Sequence, residues 1–391
     1  MEHVTAIGLL PHNSGSGRFV AGLHSHVEIS MSFVNARAYF SPDPSIIYLD
    51  ASTYGLPPDA TIATLQRALQ RWQAGTADWI EEWDREGDVS RELFAQLIGT
   101  TADSVALVPS VSVATGIVSA SLPQSATVVV PEEEFTSVSY PFSAAAEAGK
   151  INVVAVPYSE LIEAIKPGVD LVAFSLVRSQ TGESTDLTAI CDAATAAGVK
   201  LFVDATHAIP FVSVADQLDR IDYLACHGYK HLLCPRGAGF FVVHRDRWND
   251  CIPYFANWRA AAPRYQRHYG VATSLPEGAG KYDVSLAWHS WAGARVSLEL
   301  LLQWQREGIF DGTWKITRRL AAGLGLPEPQ STVLTFKASD ADKAERAIAE
   351  AGIRCAVRAG NIRLAPHVYN TVEEIDRAIA AIAPLREQVA V

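Results

Sequence analysis

Two side chains able to do chemistry follow apolar runs near the middle of the chain. Asp204 comes directly after the run 200–203, and Lys230 lies twenty-six residues further on, among small and apolar neighbours. In α/β folds, ligand-binding groups stand where the strands end. Because removal from water lowers the pKa of a lysine, a desolvated Lys230 would be an amine able to form an imine. A solvated surface lysine is the alternative.

A third segment is suited to bind an anion. Residues 109–116 follow the apolar run 105–108 and are predicted to open a helix, with Ser112 and Val113 near its start. The backbone amides of a helix N-terminus attract phosphate groups. An ordinary serine cap of the helix explains the same pattern equally well.

The elements that must position these side chains alternate between strands and helices. Amphipathic stretches such as Leu187–Ala197 separate short apolar runs, which predict strands buried on both faces at 105–108, 127–130, 152–156, 171–174 and 200–203. This alternation predicts a parallel, doubly wound α/β domain. Nearer the C-terminus a second pattern begins. It predicts a compact α+β unit with strands at 333–336 and 361–364 and helices at 340–351 and 371–382.

The chain has 391 residues, more than one hydrophobic core usually organises. We predict an N-terminal extension at 1–44 and a large domain at 45–305, with an N-terminal contribution to the small domain. The small C-terminal domain is predicted at 306–391. Met31 is a candidate alternative start.

Composition excludes several classes of protein. The chain is 49% hydrophobic and 19% charged, with a net charge of -11, which argues against nucleic acid as a partner. No apolar run is long enough to predict a membrane span. The five cysteines are scattered without a C-x-x-C pair, which argues against a disulfide framework or a metal site. No secretory signal is recognisable, so a cytoplasmic protein is expected.

The order of the motifs resembles the class V aminotransferase family, whose members use pyridoxal 5'-phosphate. Asp204, Lys230 and the segment 235–240 follow one another as in that family, and residues 362–376 are similar to its closing motif. The resemblance extends from about Tyr48 to Ile382. It implies an α/β fold of the fold-type I class, with a large parallel-sheet domain, in a homodimer whose site is completed by the partner chain.

The resemblance assigns roles around the cofactor. Lys230 would form the imine with it, Asp204 would pair with its protonated pyridine nitrogen, and His207 would lie on its phenolate side. The alternative for His207 is a structural histidine whose hydrogen bonds are satisfied at the end of a strand. The phosphate would be held by Ser112, the amide of Val113, His227, Tyr229 and, from the partner chain, Ser274.

Four further residues would complete the site. Phe135 would stack on the pyridine ring, and Ser179 would touch the O3' side of the cofactor. Arg363 would clamp the α-carboxylate of the substrate, a small-molecule amino acid, with two parallel hydrogen bonds. Tyr54 belongs to the opening segment 50–57, which would line the substrate pocket. A core phenylalanine and a surface arginine are the alternatives for Phe135 and Arg363.

One departure from the family shapes the expected reaction. Desulfurases carry a reactive cysteine on a mobile loop before the carboxylate-binding arginine, whereas Cys355 is followed by almost no loop and is predicted to be a buried strand residue. This favours the branch of isopenicillin N epimerase-like enzymes and C–S lyases. The arginine- and aromatic-rich segment 254–269, with Arg259, Arg264 and Arg267, would accommodate a bulky substituent.

We therefore expect a lyase that acts on a cysteine S-conjugate in secondary metabolism, by β-elimination or by decarboxylation linked to oxidative deamination. An amino-acid epimerase or an aminotransferase is the alternative. A catalytically silent cofactor-binding module is disfavoured because Asp204, Lys230 and Arg363 are all present.

Overall fold

A computed structural model describes residues 36–266, 268–271, 274–338, 340–358 and 360–385. Met31, most of the predicted extension 1–44, and Arg267 lie outside this range. Within it, no helix combines the length and the apolar character that crossing a bilayer requires.

Strands and helices alternate through the first half of the described chain. In order they are β1 (Ile47–Tyr48), α1 (Asp59–Ala74), the π-helix Ile80–Asp84, α2 (Arg85–Ile98), β2 (Val105–Val108), α3 (Val111–Ser121), β3 (Thr127–Pro131), α4 (Thr136–Glu147), β4 (Asn152–Val156), β5 (Leu171–Ser175), α5 (Leu187–Ala197) and β6 (Lys200–Asp204).

The second half ends in a denser α+β arrangement. Its elements are β7 (Tyr223–His227), β8 (Gly239–Val243), α6 (Trp288–Arg306), α7 (Ile309–Gly323), β9 (Leu334–Lys337), α8 (Ala341–Glu350), β10 (Ile353–Arg354), β11 (Ala356–Arg358), β12 (Asn361–Leu364) and α9 (Val372–Ile382).

Seven strands form the central sheet in the order β2-β8-β7-β6-β5-β3-β4. All neighbours are parallel except β8, which runs antiparallel to β7 and to β2. The connection 228–238 contains no crossover helix, so the chain turns back beside β7 instead of crossing the sheet. The predicted α/β fold with a large parallel sheet is confirmed, with this one antiparallel strand added.

One prediction about the sheet is wrong. Residues 152–156 were expected to be buried on both faces, but β4 is an edge strand in which Val154 is 44% exposed. Its apolar character reflects the preference of valine for extended backbone, not burial on both faces.

The C-terminal elements build a second core. Strands β11, β12 and β9 form an antiparallel sheet, and β1 pairs in parallel with β10. Ile47 and Leu49 are buried with Ile316, Ile362 and Ile375 in one apolar cluster. The start of the described chain is thus built into the C-terminal unit. The domain boundary at 305–306 stays a prediction.

Candidate active site

A cavity of about 520 Å³ opens where β3, β5 and β7 end. The segments that follow these parallel strands supply much of its wall, as expected for a ligand site in an open α/β sheet. Segments from the two ends of the described chain supply the rest. The lining residues are Ser52, Thr53, Glu133, Glu134, Phe135, Thr136, Ser179, Gln180, Tyr229, Lys230, Arg236, Asn361 and Arg363.

Lys230 is the buried amine of this cavity. Its side chain is only 6% exposed, and Nζ lies 3.0 Å from Nε2 of His207. Nζ also lies 5.1 Å from the ring centre of Phe135 and 5.9 Å from that of Tyr229. A solvated surface lysine is therefore excluded, and the amine is placed where it can react with a bound aldehyde.

His207 is a neutral neighbour of that amine. Burial, followed by the charge of Lys230, lowers the pKa of His207 well below its usual range. Since Nε2 faces the Lys230 amine and accepts from it, we assign the imidazole proton to Nδ1. Within the described residues this Nδ1 is buried without a hydrogen-bond partner, which makes it a donor suited to an oxygen of a bound ligand.

Asp204 ends β6 as a buried carboxylate. Its Oδ1 accepts the amide of Thr206 at 2.9 Å. Burial raises the pKa of Asp204, and the hydrogen bonds from Thr206 and the charge of Lys230 oppose that rise. A buried carboxylate is most favourable beside a cation, and a protonated pyridine nitrogen is such a cation.

The start of α3 gathers the predicted phosphate ligands. The amide of Val113 donates to Oγ of Ser110 at 3.3 Å, and this Oγ lies 2.9 Å from Oγ of Ser112. His227 accepts the amide of Val111 at 3.3 Å and packs against the ring of Tyr229. Ser110 is the member that the sequence analysis missed, although it occupies the position before the first helical residue, where caps are preferred.

His227 is neutral at this helix start. Burial lowers the pKa of His227 to about 3, with Lys230 as the next contribution. Because Nε2 accepts an amide proton, the ring proton is assigned to Nδ1, which is buried with no partner in the described part of the chain. A phosphate oxygen would satisfy this donor.

Arg363 joins three parts of the cavity wall. It is 5% exposed, and its Nη1 donates to the carbonyl and Oγ of Ser179 at 3.0 and 3.1 Å. Its Nη2 donates to Oγ1 of Thr53 at 2.9 Å. The surface-arginine alternative is wrong, and Thr53 is a contact that the sequence analysis did not name.

Phe135 lies at the cavity and not in a core. Its ring is 42% exposed and faces the Lys230 amine. The residue directly precedes α4, and the start of that helix holds it at the end of β3. The core alternative for Phe135 is therefore wrong.

Tyr54 does not line the cavity of its own chain. It is 51% exposed and packs on the ring of Tyr48, while Ser52 and Thr53 reach the cavity instead. The next residue, Gly55, donates its amide to the carbonyl of Tyr229 at 2.9 Å. A Cβ at Gly55 would collide with the carbonyl oxygen of Lys230. The opening segment therefore needs glycine to approach the turn at 230–233, called the lysine turn below.

Ser274 and the described residues of the segment 254–269 do not line this cavity. Ser274 accepts the amide of Ala262 through its carbonyl, and its predicted contact from a partner chain stays a prediction. Arg259 is fully buried and paired with Asp84 and Asp88, and Arg264 is paired with Asp88. Buried Arg259 is not available to a substrate, so its interpretation as a substrate contact is wrong, whereas that of Arg264 stays a prediction.

Glu134 is the main site residue that the sequence analysis missed. Its carboxylate accepts four hydrogen bonds, from the amide and hydroxyl of Ser175 at 2.6 and 2.5 Å, from the hydroxyl of Tyr158 at 2.5 Å and from the amide of Phe135 at 2.6 Å. Burial raises the pKa of Glu134, while these bonds oppose the rise. Glu134 thus fixes Phe135 to the end of β5.

Cys355 is not poised for chemistry. It lies between β10 and β11, partly buried, and it does not line the cavity. Burial, followed by the charge of Asp50, raises the pKa of its thiol to about 12. A thiolate at neutral pH is therefore disfavoured. The prediction of a fully buried strand residue is wrong in detail, because the residue falls in the bend between two short strands.

The donors and acceptors present fit pyridoxal 5'-phosphate. A buried amine is available for its aldehyde, an aromatic ring lies beside that amine, and a buried carboxylate can face a protonated ring nitrogen. A helix start with an unpaired imidazole donor suits the phosphate.

Comparison with known proteins places the chain among such enzymes. The profile of the family Aminotransferase class-V matches residues 47–256. An uncharacterized aminotransferase, YcbU of Bacillus subtilis (strain 168), is 29% identical over 325 residues, which cover 78% of this chain and 85% of the relative. Isopenicillin N epimerase of Streptomyces clavuligerus is 26% identical, with 58% of this chain and 61% of the relative covered.

Solved structures show the same fold. The cysteine desulfurase CsdA of Escherichia coli matches with a TM-score of 0.76 at 19% identity, over 90% of this chain and 98% of that one. The cystine C–S lyase C-DES, in complex with its product cysteine persulfide, matches with a TM-score of 0.75 at 19% identity, over 88% and 98%. The family match spans more than half of the chain. The chain therefore belongs to the class V aminotransferase family and is an enzyme that uses pyridoxal 5'-phosphate.

Proposed function

We propose that this enzyme is a C–S lyase that cleaves cysteine S-conjugates by β-elimination. The observation that carries the proposal is the placement of the Lys230 amine and the Arg363 guanidinium on one cavity, whose described lining residues include no cysteine. A proton acceptor and a carboxylate clamp suffice for elimination, whereas persulfide transfer requires a thiolate.

Each residue has a defined task in this proposal. Arg363 binds the α-carboxylate, with Thr53 and Ser179 holding its guanidinium in place. The amine of Lys230 takes the proton from Cα, and neutral His207 keeps that amine oriented through its contact at 3.0 Å. When bound, pyridoxal phosphate withdraws electrons from the bonds around Cα, and Asp204 supports this by holding the ring nitrogen protonated.

The bond changes balance without an external oxidant. The Cα–H and Cβ–S bonds break and the proton passes to Lys230. The electron pair of the Cα–H bond forms a Cα=Cβ double bond, and the electron pair of the C–S bond leaves with the thiolate. The thiolate gains a proton and departs as a thiol. Water then converts the remaining three-carbon unit to pyruvate and ammonia.

The first test is product analysis with purified holoenzyme and a panel of S-substituted cysteines. We expect free thiol and pyruvate in equal amounts, and we expect Lys230→Ala to lose activity by several orders of magnitude. Borohydride should fix the cofactor to the peptide that contains Lys230. Release of an aldehyde with carbon dioxide would contradict β-elimination and indicate decarboxylation linked to oxidative deamination.

Amino-acid epimerisation is the second candidate. The similarity to isopenicillin N epimerases from Streptomyces clavuligerus and Amycolatopsis lactamdurans favours it, each at 26% identity over about three fifths of this chain. Chiral chromatography of the recovered amino acid decides between the two. Inversion at Cα without thiol release would support the epimerase and overturn the lyase.

The proposal includes a cytoplasmic homodimer that works in secondary metabolism. Ser274 would reach the phosphate of the neighbouring subunit, since it lies away from the cavity of its own chain. We expect a dimer in sedimentation velocity and weaker cofactor binding in Ser274→Ala. A monomer with full activity would contradict this arrangement.

A further inference from the structure

Arg236 is a second arginine on the cavity that carries Lys230 and Arg363. It follows the lysine turn, and its guanidinium carbon lies 4.9 Å from the ring centre of Tyr229. The Lys230 amine lies 5.9 Å from the centre of the same ring. Arg236 and the reactive amine therefore border one aromatic side chain.

The charged groups of the cavity differ in how they are held. Glu134 accepts bonds from Ser175 and Tyr158, Glu133 accepts the amide of Tyr158, and Arg363 is held by Ser179 and Thr53. By contrast, the guanidinium of Arg236 makes no hydrogen bond or ion pair with any residue in the described ranges. It lies over the aromatic ring of Tyr229. Its five N–H donors have no protein partner among the described residues, on a side chain that is exposed and lines the cavity.

The backbone around Arg236 is fixed although its side chain is exposed. Its carbonyl accepts the hydroxyl of Ser290 from α6 at 2.8 Å. The guanidinium lies over the Tyr229 ring, and a stacked guanidinium keeps the N–H donors along its edge available to a ligand. A planar cation held in this way is suited to grip an anion with two parallel hydrogen bonds.

We propose that Arg236 binds a second anionic group, in addition to the α-carboxylate, on the side chain of the substrate. For the C–S lyase, the preferred S-conjugate then carries an acid, such as a carboxylate, on its sulfur substituent. The substrate class rests on the proposed function, but the anion site does not. The phosphate of the cofactor is the other anion within the site, and the experiment separates the two sources.

The test compares an acid with its uncharged amide of the same shape. S-carboxymethyl-L-cysteine and S-carbamoylmethyl-L-cysteine are assayed with wild-type holoenzyme, Arg236→Gln and Arg236→Lys. We expect wild type to favour the acid by about 10- to 100-fold in kcat/KM, mainly through KM, because one charge-assisted contact is worth that much. Arg236→Gln should lose this preference and keep its rate on the amide, and Arg236→Lys should retain part of it.

Arg318→Gln is the matched control. Arg318 is also an exposed arginine stacked on an aromatic ring, that of Trp314, but it does not line the cavity. We expect it to keep the acid preference of wild type. Equal rates on the two substrates in wild type, or an acid preference that survives Arg236→Gln, would overturn the proposal.

A second pair of ligands separates this proposal from the lyase reaction. L-Glutamate and L-glutamine have no thiol to lose, and their binding to holoenzyme is followed by the change in cofactor absorbance. Tighter binding of glutamate, abolished in Arg236→Gln, would support the anion site even if no S-conjugate is cleaved. Cleavage of both conjugates without a preference for the acid would support the lyase proposal and contradict the anion site at Arg236. A loss of cofactor affinity in Arg236→Gln, with substrate preference intact, would assign the arginine to the phosphate instead.

Discussion

Asp204 shows how one residue can serve the reaction and oppose folding. In the protein without cofactor, its carboxylate is buried, accepts hydrogen bonds from Thr206, and has a pKa raised by that burial. The folded state therefore holds the Asp204 proton more tightly than the unfolded chain does. Asp204 contributes full stability only at pH values below the unfolded pKa, and this contribution is lost as the pH rises through the folded pKa.

Asp204→Asn should consequently stabilise the cofactor-free protein and damage the enzyme. Asparagine is neutral and can still accept the Thr206 amide. We expect its advantage over wild type in denaturant unfolding to grow as the pH rises from 4 to 7.5, because only wild type must ionise a buried carboxyl. Turnover of the holoenzyme should fall by about 100-fold or more, because the ring nitrogen loses its charged partner.

Asp376 offers a control of opposite sign. This exposed carboxylate has a pKa lowered by its hydrogen bond with Arg319. Asp376→Asn should lose stability at neutral pH and lose less as the pH falls. A stability difference that is independent of pH in Asp204→Asn would contradict the assignment of a raised pKa.

Residue spacing and motif order predicted the cavity residues whose own charged groups would contact the cofactor or substrate. Asp204 and Lys230 follow strands, and Arg363 lies in a recognisable closing motif, so order along the chain was informative. Glu134 and Thr53 were missed because their roles depend on partners far away in sequence, Ser175 for Glu134 and Arg363 for Thr53. A single sequence contains no signal for such pairs. Ser110 acts locally as the cap of α3 and had a signal that was not used.

At the scale of elements, a short hairpin places Ser179 against Arg363. The hairpin 178–183 closes through the amide of Gly182, which donates to the carbonyl of Arg178 at 2.9 Å. Ser331 then donates to the carbonyl of Gly182 at 2.6 Å. The segment before β9 thereby supports one wall of the cavity.

Gly182→Ala should disturb this support. Gly182 has a φ of 75°, and a Cβ there would collide with the carbonyl of Val333. We expect a loss of about 2–4 kcal/mol in the free energy of unfolding. We also expect a raised KM for the amino acid, because Ser179 and Arg363 would separate.

Gly149→Ala separates backbone strain from collision. Gly149 has a φ of 73° but no atom near the position of an added Cβ. This variant should lose only about 1 kcal/mol and keep its KM. Similar losses in both glycine variants would show that the contact with Val333 does not matter.

Strands and helices were both predicted from their patterns, and Leu187–Ala197 matches α5 residue for residue, but one helix beside the central sheet was missed. The runs at 105–108 and 152–156 match β2 and β4 residue for residue. Helix α4 was missed because it contains Pro141 together with serine and tyrosine, which are weak helix formers. It forms nonetheless, since it packs against α3 and buries Val138 and Phe142.

At the scale of the whole molecule, a buried group of charges ties distant segments together. Arg259 pairs with Asp84 of the π-helix and Asp88 of α2, and Arg91 pairs with Asp283. Composition alone indicated an arginine-rich segment but could not show that acids at 84, 88 and 283 neutralise it. For that reason Arg259 was wrongly interpreted as a substrate contact.

Arg259→Met should be strongly destabilising. Removal of the cation leaves Asp84 buried without its ion pair, and such losses are about 3–5 kcal/mol. We expect this loss of free energy to lower the midpoint of urea unfolding. The cavity should be unaltered in the fraction of the variant that folds. Arg318→Ala, which breaks the exposed pair with Glu328, should lose less than about 1 kcal/mol. Equal effects would refute the structural role of the buried pair.

The pairing of β1 with β10 has a consequence for the order of events on the ribosome. Ile47 is translated roughly 300 residues before its partner Ile353, and at ~5–20 residues per second it waits about 15–60 s. Over that time the nascent chain can complete the central sheet, but Thr53 still lacks Arg363. The cavity therefore cannot be completed until residue 363 has been translated, and a chain truncated before residue 353 would lack Arg363, the proposed carboxylate clamp.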